Sequence, residues 1–171
     1  FEGLPTLESQ RYMKPYVAYM EMKYLYGLDN ILIGDLGISA QQIELINTVE
    51  KESIVLLPCT IDDKYSEYLN RDFTVRDDSP DKLLRIKESR MYASFNKEIE
   101  PENTVKRIRG SITIDNKRYL RYSGELQILK KDYPVCDKVN VIGHIADEYL
   151  ELLKIVNRGS RIRLVNSGES N

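Results

Sequence analysis

Tryptophan is absent, histidine occurs once, at His144, and cysteine twice, at Cys59 and Cys136. One imidazole excludes a His-rich metal site within the chain. Two cysteines this far apart, with no metal-like spacing, read as buried thiols of an intracellular protein rather than a disulfide. No G-x-G-x-x-G or P-loop occurs among the glycines, so no nucleotide cradle is expected. The longest apolar run, Ile54 to Leu57, ends at Pro58 and is far short of the ~20 residues that span a bilayer. The N-terminus lacks the basic flank and apolar core of a signal peptide. It begins at Phe1 without an initiator methionine, which suggests a fragment or processed product of a larger protein.

What is present is ordinary globular composition: 171 residues, 42% hydrophobic and 30% charged. The net charge of −2 conceals an asymmetry. Thr104 to Asn166 holds 13 Lys+Arg against 7 Asp+Glu, whereas Phe1 to Asn103 holds 12 against 19. Such a split implies either an anionic partner for the later part or docking of the two parts on each other.

Periodicity predicts an α+β fold. An acidic, mainly helical part with a short sheet would occupy residues 1–103. A basic, β-rich part with one late helix would occupy 104–166, as a small, partly open barrel or curled antiparallel sheet. Residues 167–171 would form a loose tail, and one compact domain overall is the alternative. Arg11 to Tyr26 reads as a helix with Met13, Val17, Met20 and Tyr24 on one face and Tyr12, Tyr16, Tyr19 and Tyr26 beside it. Ile31 to Ile33 reads as a short strand. Ser39 and Gln42 form a capping box ahead of a helix to Glu52 that buries Ile43, Ile46 and Val49. Ser53 to Ile61 suits a central strand covered on both faces, and Asp72 to Arg76 an edge strand. Ser79-Pro80-Asp81 should start another helix, running to about Tyr92. Lys97 to Asn103 reads as a linker. Strands over 139–145 and 161–165 flank a helix over 147–157.

Thr104 to Tyr122 reads as a hairpin turning at Asn116-Lys117, with Tyr119 and Leu120 on its second strand. It carries Lys106, Arg107, Arg109, Arg118 and Arg121 beside Tyr119 and Tyr122. Cations with interleaved rings are the chemistry of single-stranded nucleic-acid surfaces, and Arg161 and Arg163 could extend the face. His144 has no nucleophile near it in sequence. Asp62-Asp63 and Asp77-Asp78 read as caps or turns rather than cation ligands.

These features favour a non-catalytic interaction or scaffolding domain, cytoplasmic or otherwise intracellular. Tyr12, Tyr16, Tyr19 and Tyr26 would meet a protein partner or a second copy. The alternative is nucleic-acid binding through Lys106, Arg107, Arg109, Arg118, Tyr119, Arg121, Arg161 and Arg163. A third reading is an enzyme whose site is assembled only in space. No cofactor, metal or membrane is expected.

Overall fold

A computed structural model describes residues 5–34, 37–89 and 98–168. Two α-helices precede the sheet: α1 (Pro15–Tyr24), with proline at its first turn, and α2 (Ala40–Glu52). The strands are β1 (Val55–Ile61), β2 (Asp72–Thr74), β3 (Leu83–Arg85), β4 (Ser111–Asp115), β5 (Leu126–Leu129), β6 (Val139–Ile145) and β7 (Arg161–Asn166). They form one sheet in the order β2-β7-β1-β6-β4-β5-β3. β1 runs parallel to β7, and the other pairs are antiparallel. The two end strands of that order then meet each other. Val75 bridges Ile86, and Arg76 N donates to Arg85 O at 2.9 Å. The sheet therefore curls round on itself, which removes the open edges that would otherwise invite pairing.

Alternation fills the curl. Leu84, Ile86, Ile112, Ile114, Leu126, Ile128, Ile162 and Leu164 are all buried in one core cluster. β1 is covered on both sides as its apolar run requires, because α2 packs on it from outside and α1 packs on α2. The junction is polar and specific. Tyr16 is fully buried, accepting from Leu56 N at 3.0 Å and donating to Leu56 O at 3.1 Å. Ser39 caps α2 through Gln42 N. The Gln42 side chain does not close a capping box. Its amide accepts from Tyr16 N at 3.0 Å and donates to Tyr149 Oη at 2.8 Å, tying α1 and α2 to the 3-10 segment Asp147–Lys154.

Several expectations are corrected. Residues 31–34 form no strand, and Leu32 is 94% exposed. α2 buries Gln42, Leu45 and Val49, while Ile43 faces outward. Ser79 does not open a helix: its hydroxyl accepts from Arg85 N, and Leu83–Arg85 pair with β5. Long-range pairing has overridden a local cap signal. The end of that expected helix lies outside the described residues. The 104–122 hairpin is also displaced. β4 ends at Asp115, and buried Asn116 caps a 3-10 segment, Lys117–Tyr122, by accepting from Arg118 N. The partner strand comes later, as β5. The sheet does not divide at Asn103, since β1, β2 and β3 precede that residue and β4 to β7 follow it. Nor is the run before it a free linker: Asn140 holds both Glu100 O and Glu102 N.

Gly143 lies where β6 crosses β1, and a Cβ there would collide with Thr60 O and Ile61. Gly143→Ala is expected to cost about 1–3 kcal/mol, the scale of overpacking in a close-packed interior, measured by urea denaturation.

Candidate functional site

A polar row lies on the side of β3, β5 and β4 opposite the core. Register places Arg85 against Gln127 and Gln127 against Thr113, with Asp115 one step further along β4. Glu125, just before β5, shares this neighbourhood and is fully buried. A lone carboxylate there would be expensive, and two guanidiniums compensate it. Arg85 Nε donates to Glu125 Oε1 at 2.5 Å, and Arg76 Nη1 stands 3.7 Å from the same oxygen. Arg76 also grips Asp78 through two hydrogen bonds of 2.8 and 2.5 Å. Arg76 follows β2 and Arg85 ends β3, so this charge cluster sits on the seam that closes the sheet.

Asp115 is the second buried carboxyl, 3% exposed. Its Oδ2 is 3.5 Å from Gln127 Nε2, and its Oδ1 has no hydrogen-bond partner. Burial, and after it the Glu125 charge, push its pKa up to about 8, against the pull of Arg85 and Arg107. At neutral pH it is a protonated carboxylic acid facing a cleft of about 470 Å³. Arg85, Arg107, Gln127 and Asp115 supply the polar wall, and Tyr119, Tyr122 and Tyr133 supply the rings.

Among the described residues Arg107 is fixed without an ion pair. Its Nε and Nη2 donate to Pro134 O at 3.1 and 3.0 Å, and the guanidinium lies 5.4 Å from the Tyr133 ring centre. The Tyr119 and Tyr122 rings meet edge-on at 5.6 Å. Between them Leu120 holds φ 55° and ψ −122°, a conformation that disfavours a side chain, and is 80% exposed. Backbone strain of this kind concentrates where neighbouring side chains must be aimed.

The other basic residues do not assemble into one face. Lys106 pairs with Asp132, Arg109 with Glu151, Arg118 with Asp137, and Arg121 donates to Tyr122 Oη. Arg161 and Arg163 reach Asp72, and Arg163 also Glu52, on the far side of β1 and β6 from β4. Of the tyrosine stripe, Tyr16 is inside the core and Tyr19 donates to Glu50, while Tyr12 and Tyr26 are exposed. His144 Nε2 donates to Arg109 O, 2.9 Å away, with Asp147 at 3.9 Å from its Nδ1. Asp62 caps Lys64 N, and no group of acids, histidines and cysteines among the described residues could hold a metal ion. Cys59 is buried, its thiol pushed up to about 12, and both cysteines are free. No helix among the described residues is long and apolar enough to cross a membrane.

Residues 53–165 match the family model described as 6-phospho-N-acetylmuramidase, C-terminal, and residues 1–48 match its N-terminal counterpart. A conserved Enterococcus faecalis protein with an unknown function is 31% identical, with TM-score 0.85 over 98% of this chain and 45% of its own. An uncharacterized B. cereus protein is 25% identical, with TM-score 0.80 over 94% of this chain and 47% of its own. The chain spans about half the length of these structures. No curated protein matches it. These matches overturn the expectation of a non-catalytic interaction or scaffolding domain, because both family models describe parts of a glycosidase.

Two outcomes follow from the buried carboxyls. Glu125→Ala leaves Arg85 and Arg76 with only the exposed Asp78 as counter-charge and is expected to cost about 3 kcal/mol by chemical denaturation. Folded Asp115 keeps its proton up to about pH 8, whereas the unfolded chain releases it near 3.8. Stability from this group is therefore fully present below pH 3.8 and is lost as the pH rises to 8. Asp115→Asn should flatten that slope, and an unchanged slope would refute the assignment.

Proposed function

Because this chain belongs to the 6-phospho-N-acetylmuramidase family, we propose that it forms part of a glycoside hydrolase acting on glycosides of 6-phospho-N-acetylmuramic acid. The observation that carries this reading is the pair of family matches, N-terminal then C-terminal, arranged in order along one chain. Glycoside hydrolysis needs two carboxyls, one protonated to release the leaving group and one ionised to assist attack at the sugar. Asp115 and Glu125 are two neighbouring carboxyls but lack the required placement. Glu125 is enclosed and gripped by Arg85, so it cannot face a sugar ring. We assign bond cleavage to the additional length that the relatives possess, and to this chain a role in recognising the anionic sugar.

The test is hydrolysis of a chromogenic 6-phospho-N-acetylmuramide by the protein at the full length its gene encodes. Its unphosphorylated analogue should react on the order of 10²-fold more slowly, because the groups built for the phosphate would be left unpaired. The 171-residue chain alone should be inactive. Equal rates on the two substrates, or turnover by the chain alone, would contradict the reading.

A further inference from the structure

Two residues that line the cleft over β3, β5 and β4, Asp115 and Arg107, retain capacity for a ligand. In the first, Oδ1 is buried and without a hydrogen-bond partner. Buried polar atoms are nearly always paired, so an unpaired one on a residue that lines a cleft marks a place for a ligand or ordered water. The second is Arg107. Among the described residues, Arg76, Arg85, Arg109, Arg118, Arg158, Arg161 and Arg163 each lie within ion-pairing distance of a carboxylate. Arg107 instead is clamped by Pro134 O and the Tyr133 ring, makes no ion pair among the described residues, and shares the cleft only with the protonated Asp115 carboxyl. A guanidinium held rigid but left un-neutralised is prepared for an anion.

The remaining wall narrows the ligand class. Tyr133 and Tyr119 present rings with a polar tip, which suits the apolar faces and hydroxyls of a sugar. Gln127 supplies a planar amide beside Asp115. A volume of about 470 Å³ falls in the range of small-molecule sites and accommodates one pyranose with its substituents.

We propose that this cleft binds a single pyranose unit carrying an anionic group, with Arg107 taking the anion, Tyr119 and Tyr133 the ring, and Asp115 with Gln127 its hydroxyl or amide substituents. The choice of an N-acetylated muramyl or 6-phospho sugar as the probe rests on the reading above, but the cleft's geometry does not. Other charges facing Asp115 are accounted for. Glu125 is neutralised by Arg85 and Arg76, and Lys138 lies 5.6 Å from the Tyr119 ring. A protonated Asp115 therefore leaves the cleft net positive, and its ionisation above about pH 8 would oppose an anionic ligand.

The 171-residue chain is titrated calorimetrically with N-acetylmuramic acid, N-acetylglucosamine 6-phosphate and N-acetylglucosamine. At least one anionic sugar should bind about tenfold or more tightly than the neutral one, the scale of one charge-assisted hydrogen bond. Preference for the first places the lactyl carboxylate on Arg107, and preference for the second places the phosphate there. Arg107→Gln should erase the preference and Arg107→Lys should retain part of it, each with an unchanged circular dichroism spectrum. Affinity of the wild-type chain should fall as the pH rises through 8, and Asp115→Asn should remove that fall. Equal binding of all three sugars, or none by a folded chain, overturns the proposal. Hydrolysis by the full-length protein without binding by this chain would sink this inference alone. Binding without hydrolysis would sink the assigned reaction alone.

Discussion

Glu125 is a charged side chain with no exposure, and the arrangement of the site depends on how it is held. Arg85 reaches it from the end of β3 and Arg76 from the segment after β2. These are the two strands that must meet for the sheet to close. The ion cluster therefore fastens the seam that the Val75–Ile86 bridge begins. A buried pair of this kind adds little net stability over an apolar replacement, but breaking it by removing one partner is costly. The same anion also bears on Asp115. Burial is the larger reason that Asp115 keeps its proton, and the nearby Glu125 charge adds to it against the pull of Arg85 and Arg107.

The chain thus uses one face of its sheet for two purposes. The inward row of β4 and β5, Ile112, Ile114, Leu126 and Ile128, fills the core. Of the alternate row, Asp115 and Gln127 line the cleft, and Thr113 is buried beside them. Residues beyond the strands complete it: Asn116 turns the chain so that Lys117–Tyr122 carries Tyr119 and Tyr122 over the sheet, and the bridge between Arg107 and Tyr133 forms the opposite wall. The helices contribute nothing to this cleft. They cover β1 from outside, and the exposed Tyr12, Leu32 and Ile33 beside them belong to the segment that matches the N-terminal family model.

Much of the skeleton was legible in the sequence. The cap at Ser39, the buried run of β1 and the alternation of β6 and β7 each stand where local chemistry puts them. The failures share a cause. Ser79-Pro80-Asp81 has every local mark of a helix start, yet the Ser79 hydroxyl serves Arg85 N because β3 finds a partner in β5, over forty residues later. Asp115 precedes the Asn116-Lys117 step where the hairpin was expected to turn, and nothing local marks it as a site residue. The signal that could have found it was the strict alternation Ser111, Ile112, Thr113, Ile114, Asp115, which puts a carboxyl on the same face as two hydroxyls. Its partners, from β3, β5 and two loops, are brought together only by the fold. The basic residues of 104–122 were grouped by sequence, whereas most are neutralised one by one, leaving Arg107 as the one that faces the cleft without a carboxylate among the described residues.

The central claim is that burial, reinforced by the neighbouring Glu125 charge, keeps Asp115 protonated within a ligand cleft. Carboxyl-detected NMR titration of the isotopically labelled chain measures this directly. The account predicts an Asp115 midpoint near 8, moving downward when Glu125 is replaced by Gln. A midpoint close to the ordinary 3.8, unaffected by Glu125→Gln, would contradict it.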